Sequence, residues 1–240
     1  MSSTEQVNHT ARLDSVTRTV TSGRRDGADT KTVTVSQSYP VGIDELWAAV
    51  TDGERISRWL MPITGDLRLG GRYQLEGNAG GTIEECVPRD RIAVTWEYGA
   101  EVSWVVALLT GDEHASALHV EHIAHVDAER WDQFGPGAVG IGWDSMLLGL
   151  TLHLSSGAGM DREEAAAWVA SDDGRAFMRR SGEAWCRAQI DAGEDEDAAR
   201  PAAGVSRGRR RCSGRRRLGR RPRPRPRRSG RGTTPLRCAA

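Results

Sequence analysis

Three histidines, His119, His122 and His125, are spaced closely enough to suggest a metal site. They lie in a segment of alternating apolar and polar residues, which predicts a β-strand. Successive side chains of a strand point to opposite faces, and the backbone rises roughly 3.3 Å per residue. His122 therefore points away from the other two, which lie roughly 20 Å apart. This spacing excludes one shared ion, and we predict no metal site and no cofactor.

His122 shares its predicted strand face with Leu118 and Val120. This face indicates an apolar interior, where a histidine is either a hydrogen-bonded core residue or a polar group inside a cavity. The core interpretation is favoured, and the cavity interpretation stays open.

Acid–base catalysis would need titratable groups at one buried site. The candidates beside His122 are Glu85, Glu97 and Asp144, of which the last two are expected to be solvated or paired with an arginine such as Arg72. The chain shows no GxSxG serine, no paired-carboxylate signature and no cysteine with a placed partner. We therefore predict a protein that is not an enzyme.

Residues 135–140 read Gly-Pro-Gly-Ala-Val-Gly and match the dinucleotide-binding pattern GxGxxG. The preceding predicted strand ends too early, and no partner strand of a βαβ unit follows. Pro136 near a helix start and small residues that let a helix approach the sheet explain the pattern better. We predict no dinucleotide site.

The elements that position these residues follow from apolar periodicity. Alternation over Val16–Val20 and Lys31–Tyr39, around an Asp26-Gly27 turn, predicts a hairpin. Apolar residues at helical spacing then predict two short helices, one from Ile43 and one near Ile56. Alternating segments predict an antiparallel meander, with strands at Gly65–Leu69, Arg72–Glu76, Gly81–Val87, Arg91–Glu97, Glu101–Thr110 and Ser116–Val126.

The period changes to that of a helix in the following part of the chain. A long helix with one apolar face is predicted from about Ala138 to Leu154. Asp161, with Glu164 three residues later, is typical of a helix start and predicts a terminal helical region up to about Gly193.

Several short motifs accompany this order of elements. They are Ile43–Asp52, Arg58-Trp59, Gly65–Tyr73, Gly81-Thr82, Pro88, Thr95–Glu97, Leu118–His122 and Gly142-Trp143. Over about residues 31–190 the chain resembles the SRPBCC (START-related) superfamily, and within it the branch named after the activator of heat shock protein 90 ATPase (AHSA-type). The resemblance implies an α+β helix-grip (START/Bet v-like) domain over residues 13–193, in which an antiparallel sheet wraps around the long helix and extra C-terminal helices follow.

The helix-grip fold implies a cavity between sheet and helix that holds a hydrophobic molecule. The superfamily includes lipid carriers, aromatic polyketide cyclases and co-chaperone domains. We expect a non-catalytic protein that binds a small hydrophobic ligand, with a cyclase or dehydratase-like enzyme using His122, or a co-chaperone-like partner-binding module, as alternatives. The predicted ligand-binding residues are Trp59, Trp96, Trp104, Leu118, Val120, His122, Trp143 and Leu147.

Charge divides the chain into two unlike parts. Of the 33 basic residues, 15 lie in residues 205–240, which contain none of the 33 acidic residues. Residues 200–240, rich in arginine and proline, are predicted to be disordered, as are residues 1–12. The abrupt change near Arg200 favours a frameshift in a GC-rich coding sequence. A genuine basic arm, which would bind nucleic acid by counterion release, is the alternative.

Two absences bear on location. No apolar run approaches the roughly 20 residues that span a bilayer. The N-terminus lacks the basic start and apolar run of a signal peptide. We therefore expect a cytoplasmic protein without membrane contact, and a protein partner stays an open prediction.

Overall fold

The computed structural model describes residues 12–194, apart from 158, 160 and 161. Its strands are β1 (Thr17–Arg25), β2 (Ala28–Tyr39), β3 (Ile63–Gly65), β4 (Arg72–Leu75), β5 (Gly80–Val87), β6 (Arg91–Tyr98), β7 (Glu101–Gly111) and β8 (Ser116–His125). They form one antiparallel sheet in the order β1-β2-β8-β7-β6-β5-β4-β3. The first hairpin therefore pairs with the last strand of the meander. The segments predicted to be disordered lie outside the described residues, except for Arg12.

Helices cover one face of this sheet. They are α1 (Ile43–Thr51), α2 (Gly53–Trp59), α3 (Ala128–Phe134), α4 (Gly137–Ser156), α5 (Arg162–Ala170) and α6 (Asp172–Asp191). The long helix α4 packs against β2, and α6 packs against both α4 and β1. The predicted α+β helix-grip fold with extra C-terminal helices is confirmed. No helix within the described ranges combines the length and apolarity needed to cross a membrane.

The first hairpin has the turn that its sequence predicts. Asp26 and Gly27 both have positive φ, 52° and 81°. Asp-Gly tolerates this conformation, whose twist matches that of the flanking strands. The resulting register pairs Val20 with Val33, and Val33 with His122. Because paired residues share a sheet face, the valines lie on the face that carries His122.

The core lies between this face and α4. Its largest cluster joins the sheet to α1, α4 and α6 and includes Val33, Val35, Leu46, Leu118, Val120, Leu147, Leu150 and Trp185. A second cluster lies beneath α2 and β3–β5 and includes Ile56, Leu67, Tyr73, Leu75 and Ile83. Partly buried Trp47, Trp59, Val94 and Trp96 pack against both clusters.

Two local predictions need correction, and one helix was not predicted. The strand predicted at Gly65–Leu69 is wrong, because β3 ends at Gly65 and a turn follows in which Gly71 N–H donates to Arg68 O at 2.8 Å. Leu67 is buried in this turn, so the alternation of apolar and polar residues reflects burial of its side chain and not a strand. Helix α3 was not predicted. The single terminal helical region is two helices, because Ser171 caps α6 by accepting a hydrogen bond from Gly174 N–H at 3.1 Å.

Candidate functional site

A cavity of about 690 Å³ lies between the sheet and α4. Strands β2, β6, β7 and β8 form one wall and α4 forms the other, while Asp127 and Arg130, at and within α3, are exposed residues of the lining. The apolar and aromatic part of its lining is Val33, Trp96, Tyr98, Val102, Val126, Trp131, Val139, Trp143 and Met146. This volume and lining are typical of a site for a small organic molecule.

Two tryptophans and one histidine form an aromatic cluster in the cavity lining. The rings of Trp96 on β6 and Trp143 on α4 are 5.7 Å apart and tilted by 50°. The His122 ring lies 5.9 Å from Trp96 and 6.0 Å from Trp143. The sheet wall and the helix wall thus each contribute one indole to this aromatic cluster.

The hydrogen bonds of His122 define its protonation. Trp143 Nε1, which can only donate, lies 3.1 Å from His122 Nδ1, so Nδ1 accepts. The ring proton is therefore on Nε2, which donates to Ser103 Oγ at 2.8 Å. The Ser103 hydroxyl donates onward to Trp96 O at 3.1 Å. Burial lowers the pKa of His122 to about 4, so the imidazole is neutral at physiological pH.

The cavity opens to solvent beside an apolar rim. Three of its lining residues are large and exposed: Tyr98 by 61%, Val102 by 49% and Val126 by 38%. Exposed apolar side chains grouped at a cavity mark a site of contact with an apolar molecule more often than scattered ones do.

The basic side chains of the lining, Lys31 and Arg130, are paired with carboxylates. Lys31 Nζ lies 2.5 Å from Glu194 Oε1, and Arg130 lies 2.6 Å from Glu101. Asp127 accepts a hydrogen bond from Arg130 N–H and so caps α3. Partial burial disfavours the charged form of Glu194, but hydrogen bonds from Gln189, Lys31 and Trp131 outweigh it and lower the pKa. The lining therefore presents paired charges to a ligand.

Of the predicted ligand-binding residues, three line the cavity together: Trp96, His122 and Trp143. The others on the same side of the sheet belong to the packed core. Leu118, Val120 and Leu147 are at most 4% exposed. Trp59 packs against the core clusters and donates from Nε1 to Ala49 O at 2.9 Å.

Trp104 lies on the opposite face of the sheet and does not line the cavity. The Arg25 guanidinium lies 3.9 Å from its ring centre, and the His125 ring lies at 5.3 Å. Trp104 is one residue from Ser103, which bonds to His122, so strand alternation turns the indole outward.

The remaining acid–base candidates lie in ion pairs away from the cavity lining. Glu85 pairs with Arg91 at 2.6 Å, and Glu97 pairs with Arg72 at 2.7 Å, as predicted for the latter.

Asp144 is not solvated, but it is paired with an arginine as the alternative prediction stated, and that arginine is Arg18 instead of Arg72. It is 1% exposed and accepts from Arg18 at 3.1 Å, from Ser181 at 2.5 Å and from Trp185 at 3.1 Å. Burial raises the pKa of Asp144, whereas Arg18 and the two other donors lower it less. The carboxylate thus joins α4 to β1 and α6.

The glycine-rich segment at the start of α4 follows helix α3 and not a strand, which agrees with the rejection of a dinucleotide site. One correction concerns its packing. A Cβ on Gly140 would lie 2.1 Å from the Trp185 ring, so this glycine lets α4 approach α6 and not the sheet.

Sequence reasoning missed several residues of the cavity, chiefly Lys31, Tyr98, Ser103 and Trp131. Strand alternation was a usable signal for two of them, since Tyr98 lies two residues from Trp96 and Ser103 opposes Trp96 in the β6–β7 register. Trp131 belongs to α3, which was not predicted, so no signal placed it.

Comparison with known proteins shows which family the chain is similar to. Residues 40–155 match the family model of the activator of Hsp90 ATPase homolog 1-like proteins. CalU16 from Micromonospora echinospora is similar in its crystal and solution structures, with identities of 28% and 27% and TM-scores of 0.56 and 0.61. These matches cover 72% and 74% of this chain, and 97% and 96% of CalU16.

A more distant similarity concerns the fold alone. EF2215 from Enterococcus faecalis, a conserved protein of unknown function, has 11% identity and a TM-score of 0.52, over 78% of this chain and 99% of its own. A search of curated proteins found no significant match. The family match and the CalU16 structures confirm the predicted resemblance to the AHSA-type branch of the SRPBCC superfamily.

Proposed function

We propose that this chain, whose residues 40–155 carry the AHSA-type domain of the SRPBCC superfamily, binds a small uncharged aromatic molecule without transforming it. The observation that carries the proposal is the 690 Å³ cavity walled by Trp96 and Trp143 around a neutral His122. Indole faces favour flat apolar rings through offset and edge contacts.

Charge pairing in the lining supports an uncharged ligand. Lys31 is engaged by Glu194, and Arg130 is engaged by Glu101. A charged ligand would have to displace one of these partners or enter with its own charge unpaired, which is costly in a partly dehydrated site. An uncharged molecule leaves both pairs intact.

The hydrogen bonds of His122 support a role without catalysis. A general base needs a free lone pair within reach of the substrate. In His122 the Nδ1 lone pair is used by Trp143, and Nε2 carries the proton that Ser103 accepts. The cyclase or dehydratase alternative would require this network to break in every turnover. Partner binding of the co-chaperone kind stays a prediction.

Binding can be tested with N-phenyl-1-naphthylamine, an uncharged aromatic fluorophore, together with native mass spectrometry. Gly142 lines the cavity, and a Cβ there would meet no atom within 4 Å. We expect Gly142→Leu to fill part of the void and weaken binding of the fluorophore at least tenfold, on the order of 1.4 kcal/mol. The measurement is a fluorescence titration.

The matched control is Gly142→Ala, which adds one methyl group at the same position. It should bind the fluorophore nearly as well as the wild type. Equal affinity of Gly142→Leu and wild type would place the bound molecule outside this cavity. A wild-type protein that binds neither the fluorophore nor any molecule of an uncharged aromatic library would refute the proposal.

A further inference from the structure

Helix α3 borders an exposed part of the cavity with little apolar burial of its own, chiefly that of the half-buried Trp131 against the main core cluster. Arg130 and Trp131 of this helix both line the cavity, as do Val126 and Asp127 before it and Gly135 and Pro136 after it. None of its seven residues is buried. Burial of apolar surface is the main force that holds a helix to a domain. Apart from the packing of Trp131 against the core, helix α3 is therefore held by polar contacts.

Those contacts converge on Glu194, which follows α6. Its carboxylate accepts from Lys31 Nζ of β2 at 2.5 Å and from Trp131 Nε1 of α3 at 3.1 Å. Gln189 of α6 donates to it at 2.7 Å and fixes its position. Lys31 Nζ also lies 4.9 Å from the centre of the Trp131 ring, a cation–π contact. One carboxylate thus joins the sheet, α3 and α6 at the cavity.

The two ends of α3 have different contacts, and neither provides a strong attachment. On the side of β7, Arg130 pairs with Glu101, but both side chains are more than half exposed, so this pair contributes little. At the C-terminal end, Gly135 adopts φ 54° and ψ −158°, a conformation available almost only to glycine. Such a residue between two helices provides a pivot.

We infer that α3 is a lid over the cavity and that Glu194 is the latch that holds it closed, by binding Lys31 and Trp131 together. The inference rests on the proposed function, since it describes how the ligand of that cavity enters and leaves. Side chains of Lys31 and Glu194 are 21% and 24% exposed, so water reaches the latch when the pair separates. The latch can therefore open without unfolding the domain.

The first test needs no ligand. Hydrogen exchange of the full chain, followed by mass spectrometry, reports how often the amides of α3 open. Glu194→Ala should raise exchange in residues 128–134 at least threefold, while exchange in β8 and α4 stays at the wild-type rate. Lys31→Met, which keeps most of the stem and removes the charge, should give the same result. Unchanged exchange in α3 would overturn the latch.

A matched control separates the latch from the general loss of an ion pair. Glu45 pairs with Arg55 at the same distance, 2.5 Å, between α1 and α2 and outside the cavity lining. Glu45→Ala should leave exchange in α3 unchanged. Faster exchange of α3 in this variant would show that the helix responds to any loss of stability, and would contradict a specific role of Glu194.

The second test measures passage of N-phenyl-1-naphthylamine by stopped-flow fluorescence. In Glu194→Ala the association and dissociation rates should rise together by roughly fivefold, the effect of one partly exposed ion pair, while Kd changes less than twofold. Probe binding with unchanged rates would remove the gating role and leave the binding function intact. Faster exchange of α3 without any probe binding would refute the binding function and retain the latch.

Discussion

His122 has features of both environments considered for it, the hydrogen-bonded core histidine that was favoured and the cavity group that was left open. It is 8% exposed, and its ring nitrogens join Trp143 of α4 to Ser103 of β7. A protonated ring would lose the acceptor that Trp143 uses and would carry a charge in a desolvated site. The residue is thus both part of the cavity wall and a polar tie between sheet and helix.

The first prediction concerns the pH dependence of stability. Free histidine titrates near pH 6.5, whereas burial lowers the pKa of His122 to about 4. Between these values the unfolded chain binds a proton that the folded chain excludes, so the free energy of unfolding falls as the pH falls from 6.5 towards 4. Below pH 4 the loss levels off. We expect this residue to account for about 2 kcal/mol of stability lost between pH 7 and 4.5.

His122→Gln is the control for this effect. A glutamine amide can accept from Trp143 and donate to Ser103, but it does not titrate. Urea unfolding at pH 7 and pH 4.5 should show a larger loss for the wild type than for the variant, at unchanged m-value. Parallel losses would mean that His122 is not the group that titrates.

At the scale of elements, α4 shows how one helix serves two neighbours. Asp144 and Gly140 face α6, where the carboxylate accepts from Trp185 and the glycine makes room for the same indole. Trp143 and Gly142 face the cavity. Because α4 is covered on both sides, its burial does not follow a single apolar stripe, and a polar residue such as Asp144 can be buried.

The second prediction of stability follows from these two glycines. Gly142→Ala should stabilise the protein by roughly 1 kcal/mol, because alanine favours the helix and the added methyl meets no atom. Gly140→Ala should destabilise it by about 1–3 kcal/mol, because the methyl would overlap the buried Trp185 ring. Thermal unfolding of both variants checks this. A stabilised Gly140→Ala variant would mean that α4 and α6 pack less closely.

The elements that could be predicted from the sequence are those in which buried apolar residues recur at regular spacing. The hairpin, β4–β8 and α1 have alternating or helical patterns because each presents one side to the core, and α4 has apolar residues at helical spacing although both of its sides are covered. Helix α3 escaped detection because none of its residues is fully buried and only the half-buried Trp131 packs against the core, so it carries no apolar pattern. At the site, alternation placed His122 correctly on the inner face, but Trp104 was chosen by residue type, and its face was not considered. The Glu194 contacts join residues 163 positions apart, which no local pattern can show.

The chain combines a domain over residues 12–194 with a C-terminal segment of opposite charge. Residues 205–240 carry 15 of the 33 basic residues and none of the 33 acidic ones. The cavity, the His122 network and the Glu194 latch all lie within residues 12–194. Binding of an apolar ligand should therefore not depend on the basic segment, whereas binding of a phosphate polymer should depend on it entirely.

The last prediction tests this division with a chain that ends at residue 200. The shortened protein should keep the melting temperature of the full chain and bind N-phenyl-1-naphthylamine with the same Kd. Only the full chain should bind double-stranded DNA, with an affinity that falls steeply as salt rises, since each neutralised phosphate releases counterions. Fluorescence anisotropy with labelled DNA at several salt concentrations measures this. Equal DNA binding by both chains would assign it to the acidic domain, where net charge opposes it, and would contradict the division.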